Sequence, residues 1–85
     1  MVIATITEIA NDEYGNLYIT DSTGEVIYVY STWDMTGSNR FSVFKDKIKV
    51  GDTVILWSSV KHYQNNTGTY TVIELENAHL IGKIN

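Results

Sequence analysis

The sequence predicts an all-β fold, a five-stranded antiparallel barrel with one short α-helix between strands 3 and 4. Three observations predict it. Five segments carry strand patterning and are bounded by turn residues, whereas only one stretch repeats apolar residues at helical spacing. At 85 residues the chain fits one domain, residues 1–85, and has a single connection long enough for a helix, which excludes a parallel sheet built from βαβ units. A small antiparallel sheet leaves exposed edges unless it closes on itself.

Each element follows in order. In the first strand Val2, Ala4 and Ile6 alternate with Ile3, Thr5 and Thr7, after which strict alternation would bury Glu8 and expose Ile9. A bulge near Thr7 or Glu8 restores the phase and bends the strand. The polar, glycine-bearing stretch from Asn11 to Asn16 is a loop. In Leu17-Tyr18-Ile19-Thr20 the core side is Leu17 and Ile19, leaving Tyr18 and Thr20 outward. Asp21-Ser22-Thr23-Gly24 is a tight turn, with the Asp carboxylate capping N–H groups and Gly at positive φ. The third strand, Val26 to Tyr30, is apolar or aromatic throughout, so both phases are open; Ile27 and Val29 inward is the preferred one, with Tyr28 and Tyr30 outward.

Thr32 to Arg40 is irregular and places Trp33 in a polar loop, with Gly37-Ser38-Asn39 offering helix N-caps. Phe41, Phe44 and Ile48 then mark a short amphipathic helix of about two turns. Val50-Gly51-Asp52 turns the chain into a strand from Thr53 to Val60, where Val54, Leu56, Ser58 and Val60 share one side, and Trp57 is expected to serve packing. Residues 64–68 form a hairpin loop, and a last strand runs from about Thr69 to Asn77 with Thr71, Ile73 and Leu75 in register.

The net charge of −4 conceals a segregation. Residues 1–39 hold six acids and no Lys or Arg, a balance of −6, whereas residues 40–85 hold six bases against four acids, a balance of +2. There is no cysteine, hence no disulfide or thiolate chemistry. The start lacks the pattern of a signal peptide and no run approaches the roughly 18 apolar residues of a membrane span, so no membrane insertion is expected and the compartment stays open. Catalysis finds little support. His62 and His79 are the only histidines and lie seventeen residues apart, Glu74 and Glu76 share one face of a strand as solvent-facing acids usually do, and no metal or cofactor is expected. The Asn65-Asn66-Thr67 sequon suits a hairpin loop equally well.

The order of elements, together with Tyr14-Gly15-Asn16-Leu17-Tyr18-Ile19-Thr20-Asp21-Ser22-Thr23-Gly24, Tyr28-Val29-Tyr30, Val50-Gly51-Asp52-Thr53-Val54 and Glu74-Leu75-Glu76-Asn77-Ala78, resembles the OB-fold, the oligonucleotide/oligosaccharide-binding Greek-key barrel. In particular it is similar to a group of small bacterial OB domains described as nucleic-acid-binding. Where that group often has Gly, this chain has Ser31 and Ser58. The resemblance implies a non-enzymatic module that binds single-stranded nucleic acid across strands 2 and 3, flanked by the loops after strand 1 and between strands 4 and 5. On this sequence that surface comprises Tyr14, Tyr18, Thr20, Tyr28, Tyr30, Trp33, Lys61, His62 and Tyr63, with Arg40, Lys61 and His62 as rim cations. Because strands 1 to 3 contribute no Lys or Arg, binding is expected to rest on stacking with a shallow salt dependence. The alternative is a protein- or carbohydrate-binding accessory domain of a larger protein. The basic cluster Arg40, Lys45, Lys47 and Lys49 reads foremost as a solvated face.

Overall fold

A computed structural model describes residues 1–66 and 70–84, and for 60–66 and 70–72 the backbone alone. The strands are β1 (Val2–Asn11), β2 (Asn16–Asp21), β3 (Val26–Trp33), β4 (Thr53–Trp57), β5 (Val60–Asn66) and β6 (Tyr70–Lys83), with helix α1 (Phe41–Phe44) and a following 3₁₀ turn (Lys45–Lys47) between β3 and β4. The hydrogen-bonded order β3-β2-β1-β4-β6 is closed by pairing of β3 with β6. β5 continues β4 along β6, so β4 and β5 act as one barrel strand interrupted at Ser58 and Ser59. The result is a closed five-stranded barrel. Its closing seam, β3 with β6, is parallel, and the other pairings among the described residues are antiparallel.

The inward residues are those that alternation selects. Ala4, Ile6, Leu17, Ile19, Ile27, Val29, Val54, Leu56, Ile73, Leu75 and Ala78 fill the barrel, and Phe41 and Ile48 close one end. Register shifts in β1 fall between Ile6 and Glu8 and again between Ile9 and Asn11, so the expected bulge is present and a second one follows it. The first keeps Glu8 exposed and Ile9 half-buried. The phase of β3 is likewise the preferred one, because Ile27 and Val29 are buried and Tyr30 is exposed. The accessible surface of 5073 Å² matches the roughly 5,000 Å² that a compact chain of this mass exposes.

Several local expectations need correction. β3 does not stop at Tyr30. Ser31 takes φ 72°, which inserts a bulge, and the strand resumes with buried Thr32 and ends at Trp33. Trp33 is therefore a strand residue, paired with His79 on β6 and bridged to Arg40. Next, no side chain caps α1, whose N-cap is Arg40. Ser38 and Asn39 instead donate to the Asp34 carboxylate, and they organise the loop rather than the helix. Trp57, by contrast, serves packing as expected, on the outer side of β4, where it lies edge-on to His79 with ring centroids 5.6 Å apart. The helix is also shorter than its apolar spacing suggests, and Ile48 enters the core from an extended residue after the 3₁₀ turn.

The last strand is longer than expected, reaching Lys83, because its first half pairs with β5 and its second half with β4. Residues 64–66, expected in the hairpin loop, belong to β5, with Asn66 opposite Tyr70. Residues 67 and 68 of that loop, and with them Thr67 of the sequon, lie outside the described residues, as does the inward placement of the Val60 and Thr71 side chains.

Candidate nucleic-acid interface

The outward residues of β2 and β3 form a tyrosine face. Tyr18 and Tyr28 are direct cross-strand partners, and their rings sit 4.9 Å apart at 50°, within the range of attractive aromatic pairs. Tyr30 follows on β3 at 56% exposure, and Thr20 lies half-buried on β2. Tyr28 is the most enclosed of the three tyrosines. Burial pushes its phenol above the ordinary value of 10.0, reinforced by charge on Tyr18, Glu74 and Tyr30.

Beyond the Ser31 bulge a second aromatic group begins. Tyr14 precedes β2 in a loop held by the Asn11 side chain, whose Oδ1 accepts from the N–H groups of Glu13 and Tyr14, both at 2.9 Å. Thr32 ties that loop to β3. Its N–H donates to the Tyr14 carbonyl at 2.9 Å, and its buried hydroxyl donates to the Gly15 carbonyl at 2.7 Å. Gly15 allows this approach because its φ is +74°, and a Cβ there would lie 2.6 Å from the Phe41 Cβ. Trp33 Nε1 donates to Asn77 Oδ1 at 3.4 Å. The Arg40 guanidinium then lies over both rings, 5.3 Å from the centre of Tyr14 and 5.8 Å from that of Trp33. These are cation–π distances.

Seven predicted contacts thus form a band along the barrel, Tyr18, Thr20, Tyr28 and Tyr30 on the sheet and Tyr14, Trp33 and Arg40 at its loop end. The side chains of Lys61, His62 and Tyr63 lie outside the described residues. Along the edges of the band the register sets Glu8 opposite Tyr18, Glu74 beside Tyr28 and Glu76 beside Tyr30. The basic cluster is divided. Arg40 belongs to the aromatic group, and Lys45 pairs with Asp12 at 3.7 Å.

Asn77 also belongs to this surface, where strand alternation alone does not place it. Its φ of 51° lets the strand bulge, and its amide orients Trp33. The signal available was the Asn itself, since Asn tolerates the left-handed region better than other residues with a Cβ.

His79 serves packing. Its ring lies against Trp57, and its Nδ1 is 3.3 Å from the Met35 carbonyl. Among the described residues no group of three His, Cys, Asp or Glu side chains is placed to hold a metal ion, and no helix is long and apolar enough to cross a membrane. No protein-family model matches this chain, and no curated protein and no solved structure matches it either.

Proposed function

We propose that the chain is an OB-fold module that binds single-stranded nucleic acid by stacking bases on Tyr18, Tyr28 and Tyr30. The observation that carries this reading is the in-register Tyr18–Tyr28 pair on an outer sheet face, extended by Tyr30 and then by Trp33 and Tyr14. Rings fixed on a rigid sheet lose little freedom on binding, and each base stacked on such a ring contributes about 1–3 kcal/mol. The strand order and the helix between strands 3 and 4 are those of the fold that the sequence resembles. The left-handed φ of Ser31 fits that resemblance as well, because similar domains often have Gly there. The reading is tested by fluorescence anisotropy with labelled single-stranded DNA and RNA at low salt. Binding is expected, and Tyr28→Ala should weaken it by about fivefold to 150-fold. Absence of binding at high micromolar protein overturns the reading.

The carboxylates of Glu8, Glu74 and Glu76 along the band favour a second reading, a protein or carbohydrate partner contacted through the same rings. A glycan array or pull-down that finds a partner dependent on Tyr28, while oligonucleotides fail to bind, establishes this alternative.

A further inference from the structure

From the Tyr14–Arg40–Trp33 group we infer that Arg40 is the phosphate contact of the stacking platform, a single preorganised receptor for one backbone phosphate at its loop end. The inference rests on the nucleic-acid reading above. Arg40 is exposed, and its guanidinium carbon lies over two rings from separate parts of the chain. The Tyr14 backbone N–H donates to Asn11 Oδ1, which holds the loop that carries the ring, and the Trp33 indole N–H donates to Asn77 Oδ1. Contact with ring faces leaves the N–H donors at the rim of the guanidinium available, and a planar fork of donors matches two phosphate oxygens.

None of the described residues gives Arg40 a carboxylate partner. Asp34, six residues earlier, is turned to its own loop. It accepts from the Thr36 hydroxyl at 3.1 Å, the Ser38 N–H at 2.9 Å and the Asn39 amide at 2.7 Å. Lys45 and Lys83, by contrast, are paired with Asp12 and Asp52. Arg40 thus differs from Lys45 and Lys83 in lying over two rings and pairing with no described acid. Its position beyond Tyr30 and beside Trp33 on the path of β3 puts one positive charge at the end of a run of rings bordered by carboxylates. A strand stacked on Tyr28 and Tyr30 would bring the phosphate after its last stacked base to this end.

The test measures the salt dependence of binding of a fluorescein-labelled oligothymidylate about twelve nucleotides long, a length within the site sizes of such barrels. One phosphate contact to a single strand contributes a slope of about 0.7 in log affinity against log salt. Arg40→Gln should lower the slope by about that amount and weaken binding about tenfold at about 50 mM salt. Arg40→Lys, which keeps the charge and loses the planar fork, should retain the slope with weaker binding. Tyr28→Ala should weaken binding and leave the slope unchanged. If Arg40→Gln keeps the full slope while Tyr28→Ala still weakens binding, the phosphate role is overturned and the stacking reading stands. If the unaltered domain binds neither the oligothymidylate nor a labelled RNA of the same length, both fall.

Discussion

Ser31 and Asn77 occupy the same level of the parallel β3–β6 seam, and both have positive φ, 72° and 51°. Because each strand inserts one left-handed residue at this level, the register on either side is kept. Tyr30 stays opposite Glu76, and Thr32 stays opposite Ala78. The matched bulges turn both strands together, and they separate the tyrosine face from the Tyr14–Trp33–Arg40 group.

A residue with a Cβ at Ser31 carries a steric cost of about 1–2 kcal/mol, partly offset by the backbone entropy that Gly loses on folding, about 0.5–1 kcal/mol. Ser31→Gly should therefore stabilise the domain by about 0.5–1 kcal/mol. The backbone N–H of residue 31 donates to Asn16 Oδ1, and that bond survives the change. A rise in the urea midpoint, with a melting temperature higher by about 2–8 °C, checks this. Asn77→Gly should gain less, because Asn tolerates this region and its amide holds Trp33.

Gly15→Ala should be among the most damaging substitutions of a small residue. The added Cβ meets the Cβ, Cγ and Cδ1 atoms of Phe41 at 2.6–2.8 Å, on a backbone already at φ +74°. Overpacking and the left-handed penalty together should destabilise the domain by about 2–4 kcal/mol. Circular dichroism melts measure the loss, and Gly24→Ala, with nothing within 4 Å of its Cβ, isolates the backbone part.

Acid should unfold the domain through three aspartates. The Thr23 hydroxyl, with N–H groups of the same turn, lowers the pKa of Asp21; the Asn39 amide does most to lower that of Asp34, to about 2; and the Lys49 N–H, then Lys83, lower that of Asp52. Each folded value lies below the unfolded one, so the stabilisation is fully present above about pH 4 and is lost as pH falls through the folded values. Urea midpoints measured from about pH 6 to pH 2 should decline over that window. Asp34→Asn should flatten the decline at its acidic end.

Alkali should distinguish Tyr28 from the other tyrosines. Its phenol is held above 10.0, first by burial and then by the charges around it. The absorbance of ionised tyrosine should therefore show a late component that Tyr28→Phe removes. Folding is insensitive to this group below pH 10.0, and it weakens above that value because the unfolded chain loses the proton first.

Much of the barrel was legible because its strands alternate cleanly. Leu17 and Ile19 against Tyr18 set the phase of β2, and the Glu8–Ile9 reversal announced the β1 bulge. The apolar run of β3 carried no such contrast, and Ser31 hid its bulge because serine gives little local sign of a left-handed backbone. That bulge returns Trp33 to the sheet and brings it to Arg40, so the residues of the loop-end group could be nominated one by one, but their meeting could not. Trp57 illustrates the converse limit. Its side of β4 followed from alternation, yet alternation does not reveal that the outer face beside it holds His79 rather than solvent alone.

The parallel seam also bears on how the molecule assembles. Ile27 faces Ile73 across it, a separation of 46 residues (73 minus 27), whereas β1, β2 and β3 join through short turns. The meander can form early, but closure must wait for chain ends far apart to meet, which places such barrels among the millisecond-to-second folders. Tyr28 and Tyr30 lie beside Glu74 and Glu76 on this same seam. The proposed binding face is thus bordered by a pairing of residues far apart in the chain, and a ligand spanning both strands would act as a clasp, slowing their separation.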